Sequence, residues 1–371
     1  MALSSDNNQP AGDAAPGVPR FSRHVREKAN IMVAMSGGVD STAAAFLLLS
    51  EGHACAGGTM DLGFGTNAHK DAEAAAARLG IPFTLFDCAE VFSREVVARF
   101  TDAYRAGLTP NPCVDCNRLL KFGLLAQNAR QAGFERLATG HYARTTCANG
   151  RVLLQKAADI SKDQSYFLYG LSQEQLAYAL FPLGALTKAQ VRELARKQGF
   201  PNAQKAESQD ICFVPDGDYA ALVERSGAFP KGRFVDTLGN DLGEHRGIFR
   251  YTVGQRRGLG IAAPHPLYVR EIRPETHTVV LAPERELYSK SLTANRINLI
   301  AADSLDRPER FAVKIRCRHK EQPATVTQTG EDTLRIEFDT PQRAIAPGQA
   351  AVLYDGGTVI GGGTITGSFE P

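Results

Sequence analysis

Hydrophobic and polar positions alternate along this chain in two different ways. Up to about Pro215, short apolar runs trade places with longer stretches of helical period. Residues 31–35 are continuously apolar and predict a buried strand; residues 42–49 predict a helix behind it, with Asp40 and Ser41 as candidate caps. Residues 54–60 and 83–87 predict two further strands. Residues 68–79, 90–105 and 119–131 predict three further helices, with stops at Gly80, Pro82 and Gly133. Residues 136–139 predict a short strand running into Gly140-His141. Strand–helix alternation predicts an α/β domain with a parallel sheet, whose ligands gather at the C-terminal strand ends. The loop at Ser36, then Met60, then Gly140-His141 all fall at such ends, so three separated stretches predict one crevice.

Asn149-Gly150 between residues 142–146 and 152–156 is a strong hairpin signal. Ser172-x-x-Gln175 and Thr187-x-x-Gln190 are capping-box patterns, the second helix ending near Gly199. After Pro215 the pattern changes to short apolar runs broken by Gly and Pro. Candidate strands lie at residues 268–272, 278–282, 311–316, 324–328, 334–338 and 350–354, which predict an all-β barrel or two small β units.

Composition narrows the class without naming a function. The chain has 371 residues, 43% hydrophobic and 22% charged, enough for two or three globular domains. A formal net charge of +2 confines any RNA-binding surface to a local patch. No apolar run approaches the roughly 18 residues of a membrane helix, so no membrane partner is expected. Residues 1–28 lack an apolar core and predict a disordered leader rather than a secretory signal. Seven cysteines, at 55, 88, 113, 116, 147, 212 and 317, make a poor disulfide framework and point to the reducing cytoplasm.

The turn after the first strand, Ser36-Gly37-Gly38-Val39-Asp40-Ser41, carries the first chemistry. Its glycines permit positive φ and close approach of a ligand, and its N–H groups with the helix N-terminus make an anion site. Asp40 would repel a phosphate, so it is expected to face a cation that accompanies one. The turn lacks the G-K-[ST] of the Lys-containing phosphate loop. S-G-G-x-D-S resembles the pyrophosphate loop of the ATP pyrophosphatases, which cleave ATP between the α and β phosphates; the plain alternative is an ordinary strand–turn–helix.

The second chemistry is thiol. Pro110-Asn111-Pro112-Cys113-Val114-Asp115-Cys116-Asn117 reads as a shaped loop between helices, with Asp115 or Asn117 capping the next helix and Cys116 activated at a helix N-terminus. Cys212 is the second candidate thiol. Three readings stand side by side: catalytic thiols, an iron–sulfur cluster held by Cys113, Cys116 and Cys212, or a structural metal site or bystanders. Cys55, Cys88, Cys147 and Cys317 read as small hydrophobes.

From about Asn30 to the C-terminus the chain resembles the bacterial tRNA-specific 2-thiouridylases. The resemblance rests on Met35 to Ser41, Thr109-Pro110-Asn111-Pro112 with Cys116-Asn117, Ala138-Thr139-Gly140-His141-Tyr142, Lys162 to Leu168, Ser208-Gln209-Asp210-Ile211-Cys212-Phe213, Tyr251 to Arg256, and Ala346-Pro347-Gly348-Gln349. It implies an α/β ATPase domain over 29–215, a small central domain over 216–288 and a tRNA-binding C-terminal β-barrel over 289–371. It implies 2-thiolation of uridine 34 in tRNAs for Lys, Glu and Gln. ATP with Mg2+ adenylylates the C2 oxygen. A persulfide on Cys212 delivers sulfur received from a cysteine desulfurase or relay protein, with Cys116 as nucleophile and a Cys116–Cys212 disulfide in turnover. By family position, ATP meets Ala34, Met35, Ser36, Gly37, Gly38, Val39, Asp40, Ser41, Met60 and Gly140, with Asp40 the candidate magnesium ligand. The target base meets Asn111, Pro112 and Cys113; tRNA meets His141, Lys162, Asp163, Gln164 and Gln349.

Three departures mark this chain. Cys113 stands where many members carry an Asp thought to act as acid/base, with Asp115 as the substitute. The stretch between Met60 and Asp71 is short. Lys314-Ile315-Arg316-Cys317-Arg318 departs from an Arg-Tyr pair, leaving Arg316 as the expected RNA contact. Competing functions are an ammonia-using ligase with the same loop, for which no glutaminase-like segment is present, an iron–sulfur thiolase acting on cytidine, and a non-enzymatic RNA-binding protein.

Overall fold

The computed structural model describes residues 28–64, 68–204, 211–214, 217–227 and 229–369. All but the last residue of the expected leader, the middle of the short stretch after Met60, and Ser208-Gln209-Asp210 lie outside them. The first sheet is parallel: β1 (Asn30–Ala34), β2 (Ala54–Asp61), β3 (Phe83–Asp87), β4 (Arg136–Thr139) and β7 (Ala179–Leu180), in the order β3-β2-β1-β4-β7. The chain builds outward from β1 to β3, then returns to the other side with β4. That reversal makes a topological switch point between β1 and β4, where an open α/β sheet opens its crevice. Val33 pairs with Gly57 on one side and Ala138 on the other. A strand flanked on both edges and covered on both faces must be apolar throughout, and Ile31, Met32 and Val33 are buried.

The helix after β1 runs Val39–Ser50, and its N-cap is Gly38, with no side-chain cap. Asp40 and Ser41 therefore sit inside its first turn, which corrects the capping expectation and turns both side chains toward other partners. The helix expected from 119 begins seven residues earlier: residues 112–131 are helical throughout. Pro112 occupies the first helical position, where its missing N–H costs nothing and its fixed φ suits the helix. Asp115 and Asn117 are helical residues and cap nothing. Between Cys116 and Leu125 the helix is wound more widely, with i→i+5 spacing. Residues 89–105 form a similar helix, widened at Ser93–Ala98.

Both capping boxes form as expected, at Ser172/Gln175 and Thr187/Gln190. The hairpin of β5 (Ala143–Ala148) and β6 (Arg151–Lys156) turns on Asn149 and Gly150 at φ 51° and 75°. It leaves the parallel sheet, and β6 pairs through Leu154 and Gln155 with the last strand of the chain.

The rest of the chain makes two β units. The central one is the sheet β10-β11-β8-β9, from β8 (Gly232–Val235), β9 (Asp241–His245), β10 (Tyr268–Arg273) and β11 (Thr278–Ala282). The other is a six-stranded barrel of β12 (Tyr288–Leu299), β13 (Glu309–Lys314), β14 (Gln322–Gly330), β15 (Thr333–Arg343), β16 (Ala350–Asp355) and β17 (Thr358–Phe369). It runs β12-β15-β14-β13-β16-β17 and closes by pairing β12 with β17, which removes both edges. The fold is thus the expected α/β domain, small central unit and C-terminal barrel. Among the described residues no helix is long and apolar enough to cross a membrane.

Candidate active site

The turn at residues 36–41 is laced by its own side chains. Ser41 Oγ accepts from Ser36 N–H at 3.2 Å and donates to Gly38 O at 3.1 Å. Thr42 Oγ1 donates to Gly38 O, and Asn202 Nδ2 reaches in from a distant segment to Gly37 O at 3.2 Å and Thr42 Oγ1 at 2.9 Å. Gly37 has φ 70°, so the turn requires its glycine. Gly140 is a closer constraint. A Cβ there would lie 2.8 Å from Ser41 N and 2.9 Å from the Asp40 carbonyl carbon, so the end of β4 packs directly on the helix start. Met60, near the end of β2, packs on the cluster that holds Cys116. Gly140 thus meets the turn, and Met60 lies two residues beyond Gly58, which pairs with Ala34 at the end of β1.

Asp40 does face a cation, supplied by the protein itself. Lys188 Nζ lies 2.7 Å from each carboxylate oxygen, and Tyr142 Oη donates to Oδ1 at 2.8 Å. Both carboxylate oxygens are thus held by the protein's own groups. Among the described residues no three His, Cys, Asp or Glu side chains converge as a metal would need. Cys113, Cys116 and Cys212 thus form no such group.

Cys116 is buried in an apolar cluster with Phe92, Phe100, Leu120 and Phe213, whereas Cys113 and Cys212 are exposed. Helix-start activation is not what the structure gives these thiols. Burial pushes Cys116 up from its ordinary value, against the pull of Lys121 and with the push of Asp115. Cys212 is also raised, by burial and then by Cys116. Cys113 touches solvent but sits amid enough protein to be pushed up to about 11, Lys121 again pulling the other way. At neutral pH Cys113 keeps its proton. Asp115, the other candidate acid/base, pairs with Arg118 at 3.5 Å.

Lys121 is the residue that sequence reasoning overlooked. It lies five positions after Cys116, which α-helical spacing places off the shared face; the wide winding of Cys116–Leu125 brings it back. Its charge acts on Cys113, Cys116, Cys212 and His141. His141 follows Gly140, with Nδ1 2.8 Å from Thr139 Oγ1 and its ring beside Phe122 and Phe181. Burial, then Lys121, holds it well below the usual histidine range, so it is neutral. Gly140 thus packs on the nucleotide turn, His141 follows it, and the charge of Lys121 bears on His141 and on the three thiols.

Several expected RNA contacts also make internal ties. Asp163 accepts from the Ala157 and Ser165 N–H groups and from Ser165 Oγ; Gln164 Oε1 accepts from Tyr142 N–H. Arg316 donates to Val253 O at 2.9 Å and Ala344 O at 2.8 Å, clamping the central unit to the barrel. Gln349 Nε2 donates to Thr109 O at 2.9 Å, and Thr109 N–H donates to Pro347 O at 2.8 Å, so the barrel holds the start of the cysteine segment. Lys162 ends the turn Ile160–Lys162 and remains half-buried at the surface. Asn111 and Pro112 line a cleft of about 590 Å³ between helix and barrel, with Tyr169, Arg118 and Arg296.

Residues 29–216 match the family model described as tRNA methyl transferase HUP domain, 221–283 the tRNA methyl transferase PRC-barrel domain, and 289–365 the aminomethyltransferase beta-barrel domain. The chain is similar to the tRNA-specific 2-thiouridylase MnmA of Acetivibrio thermocellus, 45% identical over 356 residues that cover 91% of this chain and 99% of that protein. It is 44% identical over 355 residues to the protein of the same name in Clostridioides difficile, covering 91% and 98%. The corresponding protein of Syntrophotalea carbinolica is 46% identical over 346 residues, covering 91% and 98%.

Proposed function

From a chain that belongs to the tRNA-specific 2-thiouridylase family, and is therefore a tRNA sulfurtransferase that uses ATP, we propose how the reaction is divided among its residues. The tRNA is thiolated at uridine 34, in the Lys, Glu and Gln isoacceptors. ATP lies along Ala34 to Ser41, with Met60 and Gly140 at its edges, and Mg2+ arrives on its phosphates. The uridine C2 oxygen attacks the α phosphate, pyrophosphate leaves, and the base carries AMP as a leaving group. Adenylylation is needed because an amide-like oxygen leaves poorly on its own.

Sulfur comes from a persulfide on Cys212, loaded by a cysteine desulfurase or a relay protein. Its terminal sulfur attacks C2 and AMP departs with the C–O electron pair. Cys116 then attacks the Cys212 sulfur, the S–S bond to the base breaks, and the base keeps the transferred sulfur. The resulting Cys116–Cys212 disulfide needs two electrons from a dithiol reductant before the next turn. Lys121 favours the anionic forms of these sulfurs. Asn111, Pro112 and Cys113 bound the base, with a protonated Cys113 as proton donor.

The observation that supports this reading is the packing of Gly140, next to His141, on the nucleotide turn, with the charge of Lys121 bearing on both His141 and Cys116. The test is a thiolation assay on unmodified tRNA for Glu with ATP, magnesium and a persulfide donor, without oxygen, read by nucleoside mass analysis. 2-Thiouridine formed only with ATP and only at position 34 is expected. Thiolated cytidine, or AMP release without thiolation, would overturn the assignment.

A further inference from the structure

We infer that Lys188 is the phosphate-gripping lysine that the turn at residues 36–41 lacks, and that Asp40 holds it in place until nucleotide arrives. The inference rests on the proposed ATP site and deepens it. A pyrophosphate leaving group gains charge on its bridging oxygen as the α–β bond breaks, and a fixed cation at that end stabilises the change. The turn itself offers only backbone N–H groups and the hydroxyls of Ser36 and Ser41. Lys188 comes from a helix far along the chain, yet its ammonium lies 2.7 Å from both oxygens of a carboxylate inside that turn.

Its placement is built rather than incidental. Lys188 is the first residue of the helix Lys188–Lys197, fixed by the Thr187/Gln190 capping box, and its own N–H donates to Asp159 Oδ2 at 3.0 Å. That helix packs on the one behind the nucleotide turn through Val191 and Ala195 against Val39, Ala43 and Leu47. Only 8% of Lys188 is exposed, and an ammonium so enclosed needs an anion. Asp40 supplies it, and Tyr142 Oη keeps a hydrogen bond on Asp40 that does not depend on the lysine. The lysine stem is flexible at its far end, so Nζ can pass from Asp40 to a β or γ phosphate oxygen without moving the helix. No bond is made or broken in this exchange except hydrogen bonds.

A plain interhelical brace would have the same resting geometry, and nucleotide discrimination separates the two. Binding of AMPCPP (which cannot be cleaved between the α and β phosphates), AMP and pyrophosphate would be measured by calorimetry in magnesium buffer, for the full chain and for Lys188→Gln and Lys188→Arg. Lys188→Gln is expected to weaken AMPCPP and pyrophosphate by about 10- to 100-fold, the loss of a charge-assisted hydrogen bond. AMP binding should stay within about threefold and report an intact fold, and Lys188→Arg should recover most of the AMPCPP affinity. Equal weakening of AMP and AMPCPP, or no weakening, would overturn the assignment in favour of a brace. If the unsubstituted chain binds none of the three, the ATP site itself falls and the inference with it.

Discussion

The nucleotide end and the sulfur end of this crevice are built on different physics. Around residues 36–41 the polar groups hold one another: Ser36 with Ser41, Ser41 and Thr42 with Gly38, Gly37 with Asn202, Asp40 with Lys188 and Tyr142. Such a lattice is assembled before substrate comes and costs little reorganisation when it does. At the sulfur end Cys116 is held by apolar packing while Cys113 and Cys212 reach solvent, and desolvation raises all three thiols against the pull of Lys121. One end is ready; the other is waiting for charge to be supplied, in this proposal by a persulfide.

The largest break of that contrast is chemical. Cys212→Ser and Cys116→Ser should each take thiolation below about 1/1,000 of the unsubstituted rate, as loss of a covalent participant does. AMPCPP binding should be unchanged, because the lattice at the other end contains neither thiol. Nucleoside mass analysis and calorimetry on the same samples check both halves. Retained thiolation in either variant would remove that cysteine from the sulfur path.

Next in size is the seam between the two ends. Gly140→Ala places a Cβ within 3 Å of the Ser41 nitrogen and the Asp40 carbonyl carbon, which are backbone atoms and cannot turn aside. Overpacking of this kind costs about 1–3 kcal/mol. A lower melting temperature and an AMPCPP affinity down by about tenfold are expected, with the far barrel unaffected. An unshifted melt with full affinity would show that the seam is looser than its distances.

These two ends also differ in how far the sequence discloses them. The nucleotide turn is legible because a buried apolar strand followed by Ser-Gly-Gly fixes both a backbone path and a strand end. The same holds for both capping boxes and for Asn149-Gly150, whose signals are local. What stays hidden depends on partners remote in sequence. Lys188 is visible as the first residue of a helix, but nothing local says that it faces Asp40. Lys121 is hidden by a wide helical winding that residue spacing does not announce. Strands β12 and β17 escape because their residues look unlike strand formers; β17 carries Gly361, Gly362 and Gly363. A Cβ on Gly362 would lie 2.5 Å from Ala351 O and 2.8 Å from Tyr169, so crowding at the barrel closure demands the glycine that hides the strand. The internal ties of Arg316 to Val253 O and Ala344 O and of Gln349 to Thr109 O are hidden for the same reason, since their partners are remote in sequence.

A smaller effect sharpens the contrast through pH. With Cys113 at about 11, its alkylation by iodoacetamide should be slow at pH 7 and rise about tenfold per pH unit until that value is passed, since only the thiolate reacts. Lys121 pulls this thiol down, so Lys121→Met moves the profile to higher pH and slows alkylation at pH 8 by about three- to tenfold. Peptide mass analysis resolves Cys113 from its neighbours. A profile that Lys121→Met leaves unmoved would take Lys121 out of the sulfur end.

The smallest effect tests whether the barrel positions the sulfur end or merely lies beside it. Gln349 Nε2 holds Thr109 O, and that tie sits directly ahead of Pro110-Asn111-Pro112, where the helix bearing Cys113 and Cys116 begins. The hydrogen bond is half-buried and contributes about 1 kcal/mol, so Gln349→Ala should lower kcat/KM for tRNA by about fivefold. If Gln349 acted by touching RNA, the loss would lie in tRNA affinity. If it acts by holding the segment, tRNA affinity stays put, kcat falls, and Cys113 alkylation changes in the absence of any RNA. The structure places its amide on the protein's own carbonyl, and on that ground the second outcome is expected.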